Sequence, residues 1–280
     1  MKWREIILSS ENSIFKLKIL GSRGSMPVEG EDFKIFGGST SCYQIMTDNE
    51  EIYLDAGSGI FNAKPLPNSR ITILLTHMHL DHIIGLPFFI GLTQKNRQID
   101  IYAKKRNGLT PQEAVDKLIS PPFWPVKILG YPANINFHVL PDTTENFSIG
   151  SVNVELIEGN HPGGSTIYKI SCQKKNLIYA TDFEHSDKKI CKNLVDFAAK
   201  GNLLLYDAQY KAEEYEKYFG YGHSTPQAGI KIAESAEVEK IIFVHHSPNR
   251  TDKELLNLCS EILDKNKKIG FAKIDEEILL

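Results

Sequence analysis

His77-Met78-His79-Leu80-Asp81-His82 places three imidazoles and a carboxylate within six residues, directly after the apolar run Ile71-Thr72-Ile73-Leu74-Leu75. Neutral imidazole nitrogens beside an ionised carboxylate suit zinc first, with manganese or iron as alternatives. A strand sends successive side chains to opposite faces, so His77 and His79 are expected on one side at the strand's end. Asp81 and His82 follow where the strand must give way to a helix, from which they can reach a second metal beside the first. Further groups stand at or just beyond the ends of other apolar runs: His161 in Asn160-His161-Pro162-Gly163-Gly164, Asp182 after 177–181, Asp207 after 203–206 and His245 after 241–244. Side chains at strand ends on one rim of a sheet converge, so one cleft can collect all of them. Singly, each also fits a turn or a helix cap.

These groups need a scaffold of strands. Apolar and β-branched runs bounded by Gly, Asn and Asp turns predict strands at 15–20, 43–47, 51–54, 71–76 and 99–102 in the first half. In the second half the strands fall at 152–157, 166–172, 177–180, 203–206 and 241–244. Helices are expected from 81 towards 94, irregular around Pro87 and two glycines, and at 111–119, 226–236 and 252–264. Two halves of similar grammar predict an α/β fold of two face-to-face sheets with helices outside, residues 1–280 forming one domain.

Gly222-His223-Ser224-Thr225-Pro226-Gln227 adds a separate signal. Ser224 or Thr225 can cap the helix that Pro226 opens, and Ser224 with Gln227 has capping-box spacing. His223 then stands beside the positive end of a helix, a place that favours a phosphate oxygen. The same field disfavours an imidazolium, so a neutral donor and a proton donor both stay open.

Bulk properties set bounds. The net charge of −3 argues against an extended cationic surface for polymeric nucleic acid, and Lys104-Lys105-Arg106 and Lys188-Lys189 read as solvated faces. Cys42, Cys172, Cys191 and Cys259 lack the spacing of a metal ribbon or a disulfide framework, which predicts reduced thiols. No long apolar segment follows Met1-Lys2-Trp3-Arg4-Glu5 and no run is long enough to span a bilayer. A cytoplasmic protein without a membrane partner is expected, and a homodimer is left open.

With His77-x-His79-x-Asp81-His82 followed by His161, Asp182 and His245, the chain resembles the metallo-β-lactamase fold superfamily over most of its length. The resemblance implies an αββα sandwich of four layers holding two divalent ions. His77, His79 and His161 would hold one metal, Asp81, His82 and His245 the other, and Asp182 both. His246 follows at once, but the apolar strand ends at His245, where the family places its ligand. The loops at 21–27 and 37–42, together with the His223-Ser224-Thr225 string, look like the phosphodiesterase branch, which includes the tRNA 3′-processing nuclease ribonuclease Z and small cyclic phosphodiesterases.

The chemistry so implied is attack of an activated water on phosphorus, with in-line departure of an alkoxide. Asp81 would orient the water, and His223 would stabilise the transition state or assist the leaving group. Asp55 and Asp207 are expected to orient ligand imidazoles, or else to cap turns. In ribonuclease Z the arm that grips tRNA is inserted between the third-motif histidine and the bridging aspartate. Here 162–181 is filled by two strands and a turn, which with the acidic net charge favours a small, cyclic nucleotide-like phosphodiester. Ser120-Pro121-Pro122-Phe123-Trp124 sits in a cap-like insertion at 104–134, where Phe123 or Trp124 would stack on a base or else bury a cap. A tRNA-processing nuclease, an ester, thioester or lactone hydrolase, and a metal-containing oxidoreductase or binding protein are the alternatives.

Overall fold

The computed structural model describes residues 14–67, 69–142, 146–262 and 268–280. The reading of residues 1–5 and the end of the helix expected at 252–264 lie outside them. In chain order the strands are β1 (Phe15–Gly21), β2 (Cys42–Thr47), β3 (Glu51–Leu54), β4 (Ile71–Leu74), β5 (Gln98–Lys104), β6 (Asn134–Leu140), β7 (Phe147–Ile149), β8 (Val152–Gly159), β9 (Ser165–Cys172), β10 (Lys175–Ala180), β11 (Leu203–Asp207), β12 (Lys240–Val244), β13 (Ile269–Phe271) and β14 (Glu277–Leu279). The helices are α1 (Leu80–Ile83), α2 (Pro111–Leu118), α3 (Lys188–Ala198), α4 (Pro226–Ser235) and α5 (Asp252–Ile262).

Two seven-stranded sheets result, ordered β14-β1-β2-β3-β4-β5-β6 and β13-β12-β11-β10-β9-β8-β7. Alternating burial places one set of side chains between them: Leu17, Ile19, Ile45, Ile52 and Leu54 meet Val154, Leu156, Tyr168, Ile170 and Leu205. The opposite face of the first sheet packs Ile73, Ile99 and Ile101 on Ile83, Leu86, Phe89, Val115 and Ile119. Behind the second sheet, Ile178, Leu204 and Phe243 pack on Leu194, Ile232 and Leu255. Full burial of each such side chain contributes about 1.5–3 kcal/mol. The expected four-layer αββα sandwich is therefore present.

Strand direction positions the site. β3, β4, β5 and β6 are mutually parallel, as are β10, β11, β12 and β13. β8 is antiparallel to β9, and β9 to β10, so β8 shares the direction of β10. The carboxyl ends of β8, β10, β11 and β12 thus form one rim, the edge where open α/β sheets gather ligands.

Some expectations shift. β4 ends at Leu74, two residues before the expected 76. The helix expected from 81 is the single turn α1, continued by short 3-10 turns at Leu86–Phe88 and Ile90–Thr93, because Gly85, Pro87 and Gly91 break the regular hydrogen-bond pattern. The two halves are not self-contained, since β14 crosses from the carboxyl terminus to pair with β1. Among the described residues no helix is long and apolar enough to cross a membrane.

Candidate metal centre

His77 and His79 are neighbours, with rings 4.4 Å apart, but a loop brings them together rather than strand alternation: β4 has already ended, and His79 is the N-cap of α1. His161 Nε2 lies 3.1 Å from His79 Nδ1. Beside this trio, His82 Nε2 stands 3.1 Å from Asp182 Oδ2 and 3.3 Å from Asp81 Oδ2. His245 contributes Nδ1 at 3.4 Å from Asp182 Oδ2 and Nε2 at 3.7 Å from Asp81 Oδ2. Ligand atoms of His77, His79 and His161 form one group that could hold a metal ion, and those of Asp81, His82, Asp182 and His245 form another. Asp182 Oδ1 is also 3.7 Å from His77 Nε2 and 3.8 Å from His161 Nε2, so the carboxylate lies between the groups.

The donor set fits divalent metal. Nε2 of His77, His82 and His245 are buried nitrogens with no hydrogen-bond partner, a costly arrangement for a polar atom unless a cation completes it. Burial, reinforced for His77 by His82, holds the His77, His79 and His161 imidazoles below their ordinary range and leaves them neutral, the form that ligates. Burial opposes ionisation of Asp81 and Asp182, yet the surrounding imidazoles outweigh it and keep both carboxyls below the usual range. At His82 burial is likewise outweighed, here by Asp182, Asp81 and Asp55, which raise its imidazole well above the ordinary value. Those carboxylates equally favour a divalent cation in place of the proton.

A layer of buried partners orients these rings. Asp55 Oδ2 accepts from His82 Nδ1 at 2.7 Å and from the Tyr179 hydroxyl at 2.8 Å, while Oδ1 accepts the Thr76 N–H at 2.8 Å. His82 therefore keeps Nε2 for the cluster. His161 Nδ1 donates to the Gly222 carbonyl at 3.0 Å, with the same result for its Nε2. Gly222 has φ +90°, and a side chain there would collide with the His161 ring, so both backbone and space require glycine. Asp55, Asp182 and His245 each follow a strand and adopt left-handed φ of 58°, 52° and 60°. Such conformations are uncommon for side chains other than glycine. The glycine loop after β1 joins the site through Ser25, whose N–H donates to Asp81 Oδ2 at 2.8 Å. Arg23 anchors that loop, its guanidinium donating to the carbonyls of Gly37, Ser247 and Arg250.

Asp207 contacts His223 rather than one of the imidazoles in the two groups above, with Oδ2 2.8 Å from His223 Nδ1. Burial disfavours charge on His223, but Asp207 outweighs it and raises the imidazole above its ordinary value, against the lowering expected from the helix end. Thr225 is the cap of α4, accepting the Ala228 N–H, while the Ser224 hydroxyl is engaged by Tyr206 and His185. The His223 ring stacks on His245 at 4.8 Å. His246 turns away, Nε2 donating to the Ala272 carbonyl and the ring packing on Phe36 and Phe271.

Phe123 and Trp124 do not reach the cluster. Trp124 Nε1 donates to the Tyr131 hydroxyl at 2.9 Å and its ring packs on Phe88, which seats it in the helical layer of the first sheet. Neither residue lines the clefts flanking the metal groups. Pro121 and Pro122 signal a turn, not the direction of the following ring. Two features escaped the sequence reading. Glu184, two residues beyond Asp182, accepts the N–H groups of Gly220 and Gly222 and so shapes the His223 loop. The other is the aromatic segment Tyr210, Tyr215, Tyr218, Phe219 and Tyr221, whose density just before His223 is visible in the sequence.

A rim built in this way belongs to a metal-dependent hydrolase. The family model described as Beta-lactamase superfamily domain matches residues 50–246, and the chain belongs to that family. Ribonuclease Z of Archaeoglobus fulgidus is 24% identical over 306 residues, covering 91% of this chain and 93% of that protein. The mitochondrial ribonuclease Z 2 of Schizosaccharomyces pombe is 24% identical over 289 residues and 94% of this chain, which spans only 38% of that relative. Among solved structures, human tRNase Z, short form, superposes with a TM-score of 0.65 at 16% identity, over 94% of this chain and 98% of that one.

Relatives named as RNA nucleases overturn the expectation of a small phosphodiester substrate without extended nucleic-acid contact. The inference from charge failed because a net −3 summed over 280 residues does not describe the rim of one cleft. At that rim Arg106 lines the wall beside His77 and His79, and Lys104 and Arg106, expected on a solvated face, are instead tucked in because both pair with Glu158, at 3.1 and 2.6 Å. The segment between His161 and Asp182 is indeed only β9, β10 and their turn. No inserted arm stands between those two residues.

Proposed function

We propose that this chain is a metal-dependent phosphodiesterase that cleaves RNA in the manner of ribonuclease Z, with transfer-RNA precursors as its first candidate substrates. The carrying observation is His223, held by Asp207 and stacked on His245 at the edge of the metal groups. We assign His77, His79 and His161 to one ion, Asp81, His82 and His245 to the other, and Asp182 to both, with zinc the first candidate and manganese or iron as alternatives. When bound, two such ions supply an activated water and a clamp on the phosphoryl oxygens.

The chain's own groups account for the remaining steps. Asp81, fixed by the Ser25 N–H, accepts a hydrogen bond from the attacking water and orients it. With Nδ1 committed to Asp207, His223 has Nε2 left for the substrate. Its raised affinity for a proton suits donation to the leaving alkoxide as the P–O bond breaks.

The test is incubation of the purified, metal-loaded protein with precursor transfer RNA carrying a 3′ extension, with and without a chelator. Metal-dependent release of the extension is expected. Hydrolysis of lactones or thioesters with every RNA left intact would overturn the reading.

A further inference from the structure

A cleft of about 390 Å³ opens beside His223, lined by Ser25, Gln209, Tyr210, Tyr218, Tyr221 and Arg250 among others. From His223 an unbroken series of rings leads into it. Tyr210 lies edge-on to His223 at 5.8 Å, Tyr218 stacks on Tyr210 at 4.6 Å, and Tyr221 stands edge-on to Tyr218 at 5.9 Å. Tyr210 is buried, whereas Tyr221 is 63% exposed and offers its ring to whatever enters. None of these rings is needed to build the metal groups or the sheets' central core.

The polar side chains around the cleft are mostly engaged within the protein, which leaves its aromatic face for a ligand. Gln209 is 7% exposed and its Oε1 is buried with no hydrogen-bond partner, although its Nε2 donates to Ser25 Oγ and the Tyr210 hydroxyl. That oxygen is enclosed beside Gly24 and the His245 ring, so the amide builds the floor of the cleft and the exposed ring of Tyr221 is what a ligand meets. The Glu214 carboxylate is matched by Arg250 at 2.6 Å, and Glu254 is occupied by the backbone and hydroxyl of Thr251. Lys217 Nζ lies 5.2 Å from the Tyr218 ring, adding a cation beside the aromatic series.

We infer that this tyrosine-lined cleft takes the base of the nucleotide adjoining the scissile phosphate, stacked on Tyr221. The inference rests on the reading of the site as an RNA phosphodiesterase. A phosphate handled by His223 has its nearest sugar and base within one nucleotide's reach, and stacking is a sequence-tolerant means of holding a base. It also supplies, next to the reacting bond, a grip on single-stranded RNA that needs no inserted arm.

Calorimetric titration of the metal-loaded protein with adenosine 5′-monophosphate and with ribose 5-phosphate separates base from phosphate. The nucleotide is expected to bind at least tenfold more tightly; Tyr221→Ala should weaken it by roughly tenfold while leaving ribose 5-phosphate unchanged, and Tyr221→Phe should retain the base-dependent gain. Equal binding of the two ligands, or an unaltered nucleotide affinity in Tyr221→Ala, overturns the inference. If RNA is cleaved but binding ignores the base, the cleft assignment fails and the nuclease reading stands. If no RNA is cleaved yet base-dependent binding persists, the nuclease reading fails and the base site stands.

Discussion

Asp207 Oδ2 lies 2.8 Å from His223 Nδ1 and, at 3.0 Å, also accepts the backbone N–H of Asp182. One carboxylate thus fixes the group assigned to the leaving alkoxide against the residue placed between the two metal groups.

This pairing sets a pH dependence. Asp207 raises the His223 imidazole above its ordinary value, so the protonated form persists to higher pH and is lost as pH rises through that raised value. Turnover should fall on this basic limb, and Asp207→Asn should move the limb to lower pH. His223→Ala should lower kcat by roughly 10²–10⁴-fold with metal content retained. Full activity of the alanine variant, read against its metal content, would remove the assigned role.

Asp55 should act on metal affinity. It receives His82 Nδ1, the Tyr179 hydroxyl and Thr76, and never approaches the substrate side of the cluster. Asp55→Ala is expected to weaken binding of one metal by about 10–100-fold, measured by competition with a chromogenic chelator. A turnover loss that excess metal fails to rescue would point to a different role.

Chelation should destabilise the fold. A metal that binds the native chain alone stabilises it by mass action, about 4 kcal/mol when its free concentration is a thousand times Kd. The melting temperature should therefore drop on addition of EDTA and recover with zinc. Identical melting curves with and without chelator would mean that the cluster holds no tightly bound ion.

Trp124 should matter for stability and not for catalysis. Its ring packs on Phe88 and its Nε1 satisfies Tyr131, away from both clefts beside the metal groups. Trp124→Ala is expected to lower unfolding free energy by about 2 kcal/mol, below the range for a fully buried aromatic because this ring is half-buried, with kcat/KM on RNA nearly unchanged. Denaturant titration and initial rates on the same preparation check both halves.

What the sequence made legible follows from burial. Residues 71–75 and 241–244 are buried on both faces and, Thr72 apart, apolar because their strands lie inside the sandwich, so the polar groups that follow, His77 and His245, stand out. β6 was not legible because Asn134–Leu140 is a half-exposed edge strand of mixed polarity, and β13 and β14 are only three residues each. α3 hid behind its lysines, which occupy the solvent side of Lys188–Ala198. The tyrosine cleft has no periodic signal either: Tyr215–Tyr218 is a short 3-10 turn, and the path of the loop alone brings Tyr221 near Tyr218.

The first sheet's rim supplies residues 77–82 and the second supplies Asp182 and His245, with His82 Nε2 and Asp182 Oδ2 only 3.1 Å apart across the join. The cluster is therefore a gauge of how the two sheets are aligned. A slip of one layer over the other by a fraction of an ångström would sacrifice little apolar burial, yet would change every distance between ligands from opposite sides. Conservative substitutions in the central layer, such as Ile45→Val or Leu156→Met, accordingly lie far from the chemistry but act on its dimensions. In this architecture the hydrophobic core sets the spacing of the metal site.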